Sequence, residues 1–338
     1  MSLSFEHVTD PEALSGLRDS WNTLLFTNHT HEVFLTWEWQ TTWFRVYQPG
    51  DLWVILARDE RGELVGIAPW FKDAKGQVIR PIGCVDVTDY LDVIVKPEYR
   101  EAFFTGIASL MAQNCQRFSR INLCNHPDGS PTLELLPHAL QSQNFRVNLK
   151  PQEVCPVIKL PDTFEGYLEH LDKKNRHELR RKMRRAEHDE STVAWYIVGA
   201  EHDLGVELEK FIHLMASSAP EKARFLQDPK NLAFFMEIMP QIAACGWLQL
   251  AFATVDGSPA AAYLNFDFDN RILVYNSGLI LEPYGYLSLG IVLLANLIQH
   301  AIELHRSEFD FLRGNEEYKY RMGGVDRAVL EIQAECSA

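Results

Sequence analysis

Residues 248–324 constrain the fold of this chain more than any other stretch, because within them the hydrophobic period changes from two to about 3.6 and back again. Residues 248–254 alternate as a strand, 255–259 turn around Gly257, 260–268 form a second strand, 269–270 turn again, and 271–277 form a third. From there Leu287, Ile291, Leu294, Ile298 and Ile302 recur at helical spacing, with His300 and Glu303 off that face. Phe309 and Phe311 then flank Asp310 with the period of a half-buried strand, expected over 308–312. Arg313-Gly314-Asn315 starts a short polar helix over 316–322, closed by Gly323 and Gly324. A cation, two phenols and a carboxylate are thereby gathered just beyond a strand end.

A chain of 338 residues is long for one core and comfortable for two. Residues 1–10 have neither a basic region nor an apolar core, and no run of about 18 apolar residues suggests a membrane span, so a cytoplasmic protein is expected. The six cysteines lack Cys-x-x-Cys spacing; they point to no zinc site or other metal and no disulfide framework, and are expected reduced and mostly buried. The net charge of −14 argues against bulk nucleic-acid binding, yet residues 173–185 hold eight cations and one anion, leaving −21 on the rest.

The first half repeats the layout of the second. Residues 53–57 and 64–71 read as strands about a charged turn, 90–95 as a third, Phe103, Ile107, Leu110 and Met111 as a helix, and 120–124 as a strand ending in Asn125-His126-Pro127. Ahead of this, Leu14, Leu17, Trp21 and Leu24 suggest a helix. Residues 34–43 form an aromatic-rich helix entry whose Trp37, Trp39 and Trp43 suit core packing or the lining of a groove. A proline-punctuated stretch, 151–161, marks the junction. The expected fold class is α/β, or α+β by layer segregation. Two tandem modules, 1–155 and 156–338, would each have a mixed, largely antiparallel sheet flanked by helices, the second entered through a basic helix at about 164–188.

The Phe-Leu-Thr-Trp-Glu-Trp entry at 34–39, the basic mid-chain helix, the loop before Leu287, and Phe-Asp-Phe-Leu-Arg-Gly followed by Tyr-Lys-Tyr-Arg-Met-Gly-Gly together give a resemblance to a known family. The chain resembles the CelD-like branch of the GNAT acyltransferase superfamily and is similar to the Fem peptidyltransferases, which are paired GNAT modules. The resemblance implies transfer of an acyl group from an activated donor, acyl-coenzyme A first, to an amine on a small molecule or a cell-envelope or polysaccharide precursor. The alternatives are a Fem-like transferase drawing on aminoacyl-tRNA, and a non-catalytic accessory protein of polysaccharide biosynthesis.

Such a transfer passes through a tetrahedral oxyanion, needs a neutral amine, and must protonate a leaving thiolate or alkoxide. Lys319 is the candidate for stabilising charge, as the resemblance to Fem enzymes implies. Tyr318 or Tyr320 is the candidate proton donor, as in GNAT enzymes. Lys319 and Arg321 would otherwise be solvated ends of a surface helix paired with Glu316 and Glu317. Asp310 is a general base or the ion-pair partner of Arg313. Tyr275, Asn276 and Gly278 end the third strand, where by resemblance the sheet splays to admit a pantetheine arm. Gly285 and Tyr286 open the next helix, whose free N–H groups suit a phosphate, although Gly285 and Gly290 are five apart where the superfamily's loop has closely spaced glycines. With residues 168–188 helical, Arg176, Arg180 and Arg184 share one side and Leu179, Met183 and Ala186 another, giving a phosphate-binding row or a solvated face. Residues 217–225 read as a polar loop over the site.

Overall fold

The computed structural model describes residues 2–84 and 87–336. The chain forms two compact units, residues 1–154 with 327–338, and residues 155–326. Residues 327–338, expected in the second module, thus belong to the first.

In the first unit β1 (Ser4–Val8) leads into α1 (Arg18–Leu25) and α2 (Trp37–Tyr47), the latter capped by the Thr36 hydroxyl. Then come β2 (Gly50–Arg58), β3 (Leu64–Asp73), β4 (Val78–Pro81), β5 (Ile94–Val95), α3 (Arg100–Gln113), β6 (Arg120–Pro127), α4 (Thr132–Ser142) and β7 (Phe145–Lys159). The third strand of the meander is β4. The expected strand over 90–95 shrinks to the two-residue β5, which pairs with β3. The sheet runs β1-β2-β3-β4-β6-β13, where β13 is Val325–Cys336, and all its neighbours are antiparallel except β4 and β6. Trp39 and Trp43 are fully buried, and the Trp37 indole donates to the Leu14 carbonyl at 2.8 Å, so this cluster is core rather than groove. Cys84 is bonded to Cys124 and Cys115 to Cys336, which corrects the expectation of six reduced thiols; Cys155 and Cys245 belong to neither disulfide. The cysteine spacing was silent here because both pairs join residues distant in sequence.

The second unit begins with the end of β7 and continues through α5 (Phe164–His170), α6 (Lys173–Glu187), β8 (Val193–Ile197), α7 (Leu204–Ser218), α8 (Pro220–Gln227) and α9 (Pro229–Ala244). A meander follows: β9 (Leu248–Val255), β10 (Ser258–Phe268) and β11 (Arg271–Leu279). Its turns put Asp256, Gly257, Asp269 and Asn270 at positive φ, the two-residue hairpin geometry that matches strand twist. Next come α10 (Leu289–Glu303), β12 (Glu308–Asp310) and α11 (Glu317–Arg321). The sheet order is β7-β12-β11-β10-β9-β8, again with one parallel pair, β11 with β12. The helical segment Gly285–Glu303 is long and apolar enough by composition to cross a bilayer, but Leu293, Leu294, Leu297 and Ile298 are fully buried in the unit's core.

Three local expectations change. The basic helix breaks at Leu171, because Asp172 caps a fresh start by accepting the Asn175 N–H at 2.9 Å. The expected polar loop at 217–225 is the end of α7 followed by α8, which Pro220 opens in its first turn. The last strand stops at Asp310, two residues early: the Asp310 carboxylate accepts the Leu312 N–H at 2.8 Å, and Leu312 turns to positive φ.

Asp92 is the buried polar centre of the first unit. Its carboxylate accepts hydrogen bonds from Thr30 (2.7 Å), Ser130 and Thr132 (2.5 Å each) and the Val93 N–H (2.8 Å), with His126 Nδ1 at 3.4 Å. Burial alone would raise its pKa, but His126 and the Ser130 and Thr132 hydroxyls outweigh that and hold it below the ordinary carboxylate value. A depressed folded-state value contributes stability above the unfolded pKa, near 3.9, that is lost as pH falls through the folded one. Asp92→Asn is therefore expected to cost about 1–3 kcal/mol near neutral pH and to flatten the acid limb of stability below about pH 4. Urea titrations across pH check both; an unchanged acid limb would assign the acid sensitivity elsewhere.

Candidate active site

The site is built around the parting of β11 and β12. Their parallel pairing covers only Arg271 with Glu308, Ile272 with Phe309 and Leu273 with Asp310. One residue beyond, the β10–β11 register slips, Leu264 facing Asn276 and Asn265 facing Val274, so that Tyr275 is an extra residue in β11. A bulge bends its strand; β11 runs on to Leu279 while β12 ends. The edge of β11 facing the departed strand is left without a strand partner, an opening lined by backbone amides.

Two cavities that share three wall residues lie beside these elements, and one of them reaches the end of β11. One, of 330 Å³, lies between the end of β11 (Ser277, Leu279) and the first turn of α10 (Ser288, Leu289, Gly290, Ile291), with Tyr263, Tyr284 and Gly285 in its wall. The other, of 630 Å³, lies between α6 and α11 and is lined by Lys174, His177, Arg181, Lys182, Tyr318 and Arg321 around apolar Leu179, Ile291 and Met322. Lys182, Ile291 and Tyr318 belong to both walls. Burial, with Glu316 nearby, pushes the Tyr318 phenol well above its ordinary value, so it carries its proton throughout the neutral range. The Tyr263 phenol is likewise raised, by burial and then by Tyr318.

Lys319 follows Tyr318 but faces inward, and only 2% of it is exposed. Its ammonium donates to the carbonyls of Leu312 (3.1 Å), Arg313 (2.7 Å) and Gly314 (3.1 Å) and meets the Glu316 carboxylate at 2.9 Å. It is a clamp on the loop between β12 and α11, and not the solvated helix end that its neighbour Arg321, paired with Glu317, is. Tyr320 is exposed, hydrogen-bonds Asp326 at 2.8 Å, and lines neither cavity. The structure thereby separates the two phenols: Tyr318 borders the cavities and Tyr320 does not. Asp310 is buried and its carboxylate fixes the turn at Leu312.

Of the proposed donor positions, Tyr275 stacks on Phe235 and packs on Phe266, within the sheet's other face. The Asn276 side chain accepts the Ser277 N–H. Gly278 is a point of close approach: a Cβ there would lie 2.4 Å from the Met215 nitrogen, so α7 and not a ligand needs it small. Gly285 lines the smaller cavity. Tyr286, half exposed, hydrogen-bonds Asp189 through its hydroxyl and takes an Arg185 hydrogen bond at its carbonyl (2.7 Å), which ties α6 to the entry of α10. Arg176, Arg180 and Arg184 line neither cavity, and Arg180 pairs with Glu165. Position 174, with 177–178 and 181–182, is on another side of the helix from 176, 180 and 184. The cations that reach the cleft flank the apolar seam at Leu179, as long side chains do when the stem packs and the head stays wet; proximity to that seam was the available signal for Arg181 and Lys182. Lys222, on α8, was missed with the supposed loop: its ammonium donates to the Ser277 carbonyl at 2.5 Å and reaches the hydroxyl at 3.2 Å. Among the described residues no group of three or more His, Cys, Asp or Glu side chains is placed to hold a metal ion.

Residues 173–320, nearly all of the second unit, match the family model described as Acetyltransferase (GNAT) domain. No curated protein sequence matches. Among solved structures, FemX is similar over 98% of this chain and 96% of its own, with a TM-score of 0.67 and 11% identity. L-PGS from Bacillus licheniformis is similar over 97% and 92%, at 0.55 and 10%, and a tandem GNAT protein from the clavulanic acid biosynthesis pathway over 100% and 99%, at 0.52 and 14%. Residues 173–320 are thus a match to the acetyltransferase (GNAT) family, set in a chain whose two-module α/β fold is the one that FemX and the tandem GNAT protein share.

Proposed function

We propose that the chain is an acyltransferase whose second unit takes an acyl group from acyl-coenzyme A and delivers it to a primary amine on a small molecule or a cell-envelope or polysaccharide precursor. The observation that carries this reading is the end of β11 that runs on past β12 beside a cavity whose wall shares Tyr318 with a second, cationic one. An extended amide-bearing arm can hydrogen-bond to such an edge as a missing strand would. The smaller cavity suits its apolar stretch through Leu279, Ile280 and Ile291, and the first turn of α10 offers N–H groups, with Lys182 beside them, to a phosphate. Cavities of these sizes fall within the range that small ligands fill.

In this reading Tyr318, protonated because it is buried, gives its proton to the leaving thiolate. Lys319 is a positioning residue: by gathering three carbonyls it holds the loop that carries Tyr318. The cations of the larger cavity, Lys174, Arg181, Lys182 and Arg321, favour the anionic end of a substrate. Lys174 and His177 have no side-chain hydrogen bond or ion pair among the described residues, while Arg181 is held by Glu178. The second reading, a charged tRNA as donor, draws on the same cations together with Arg176 and Arg184 on another side of α6.

Coenzyme A is expected to raise the melting temperature of the full chain, and Arg181→Glu with Lys182→Glu to weaken its binding by about tenfold or more. If coenzyme A has no effect and tRNA shifts the melt in a strongly salt-dependent way, the second reading replaces the first. Lys319→Met is expected to lower stability by about 2–4 kcal/mol, because it strips the donor from three carbonyls and leaves Glu316 unpaired. Chemical denaturation measures this; a loss under 1 kcal/mol, roughly the worth of a surface pair, would show that the clamp contributes little.

A further inference from the structure

Lys222 stands apart from the other lysines of the second unit. It projects from α8 to the unpaired stretch of β11, where its ammonium binds both the carbonyl and the hydroxyl of Ser277. Ser277 is itself part of the wall of the smaller cavity, together with Tyr263 and Tyr318. The amine is therefore one hydrogen bond from the space that the donor reading gives to an acyl donor. The adjacent charges are Glu316, which already binds the Lys319 ammonium, and Glu221, the neighbour of Lys222 on α8 itself.

From this placement we infer that Lys222 is a self-acylation site, an internal amine acceptor at the donor cavity. The inference rests on the acyl-coenzyme A reading above. The neutral ε-amine of Lys222 attacks the thioester carbonyl carbon; the C–N bond forms, the C–S bond breaks, and the proton lost by the amine ends on the departing thiol, so that an amide and free coenzyme A are the products. A neutral amine is the requirement: burial, outweighing the pull of Glu316 and Glu221, brings Lys222 down to about 8, so that a minor share of the ammonium that binds Ser277 is free amine at neutral pH and most of it is by the upper end of the range tested below. An exposed lysine, near 10.4, has far less free amine at the same pH. Of the two hydrogen bonds that the ammonium gives Ser277, the one to the hydroxyl is given up in the reaction, and the single amide N–H that remains can keep the one to the carbonyl.

The test is incubation of the purified full chain with acetyl-coenzyme A over about pH 7 to about 9, with acetylated positions located by peptide mass spectrometry and the melting temperature followed in parallel with coenzyme A alone. Acetylation at Lys222 is expected to exceed that at exposed lysines by about tenfold or more at the lower end of this range, and to be lost at that position in Lys222→Arg without loss of the coenzyme A melting shift. Stabilisation by coenzyme A with Lys222 modified no faster than exposed lysines would overturn the inference and leave the donor reading intact. Absence of both the melting shift and Lys222 acetylation would overturn the two together.

Discussion

The second unit depends on a pair of parallel strands that hold together for three residue pairs and then let go. Two local features enforce the separation. The extra residue at Tyr275 bends β11 on one side, and on the other the Asp310 carboxylate captures the Leu312 amide and turns the chain out of the ladder. Backbone amides left unpaired inside a sheet are costly unless something answers them. In this chain the Ser277 carbonyl is answered by Lys222, and Ser277 and Leu279 border a cavity.

Lys319 shows how a charge can be built into such a place. A buried ammonium is expensive without acceptors, but three carbonyls and a carboxylate surround this one. The loop between β12 and α11 in turn owes its shape to that cation, since successive carbonyls pointing at one centre repel one another without it. Tyr318, the residue before it in the same helical turn, points to another side and lines both cavities.

Much of this was legible in the sequence, and the reasons for the rest are specific. The meander, α10 and α11 declare themselves by period and by turn residues with positive φ. A mixed, largely antiparallel sheet was expected in each module, and each unit has one parallel pair in it. The last strand was expected two residues too long because Phe311 continues the alternation while Asp310 ends it through a side-chain hydrogen bond that periodicity does not register. The face of α6 was misjudged for a similar reason. The phosphate-binding row was read at Arg176, Arg180 and Arg184, on another side from the apolar stripe, whereas Arg181 and Lys182 flank that stripe and line the cleft. Residues 217–225 were read as a polar loop although Pro220 opens a helix within them, and Lys222 was lost with that reading. Cysteine pairing left no mark in spacing at all.

The order of strands along the chain has a bearing on how the protein is made. The sixth strand of the second unit, the end of β7, precedes everything else in that unit, so its sheet has all its members once residue 326 has been synthesised. The first unit has no such advantage. Its sixth strand is the end of β13, which pairs with β6 through Val329–Pro127 and Ala334–Ile121, and these residues follow the whole of the second unit in the chain. The N-terminal module must therefore wait, with one edge of β6 open, through the translation of its successor, and the usual order in which domains mature from the N-terminus is reversed for its final step.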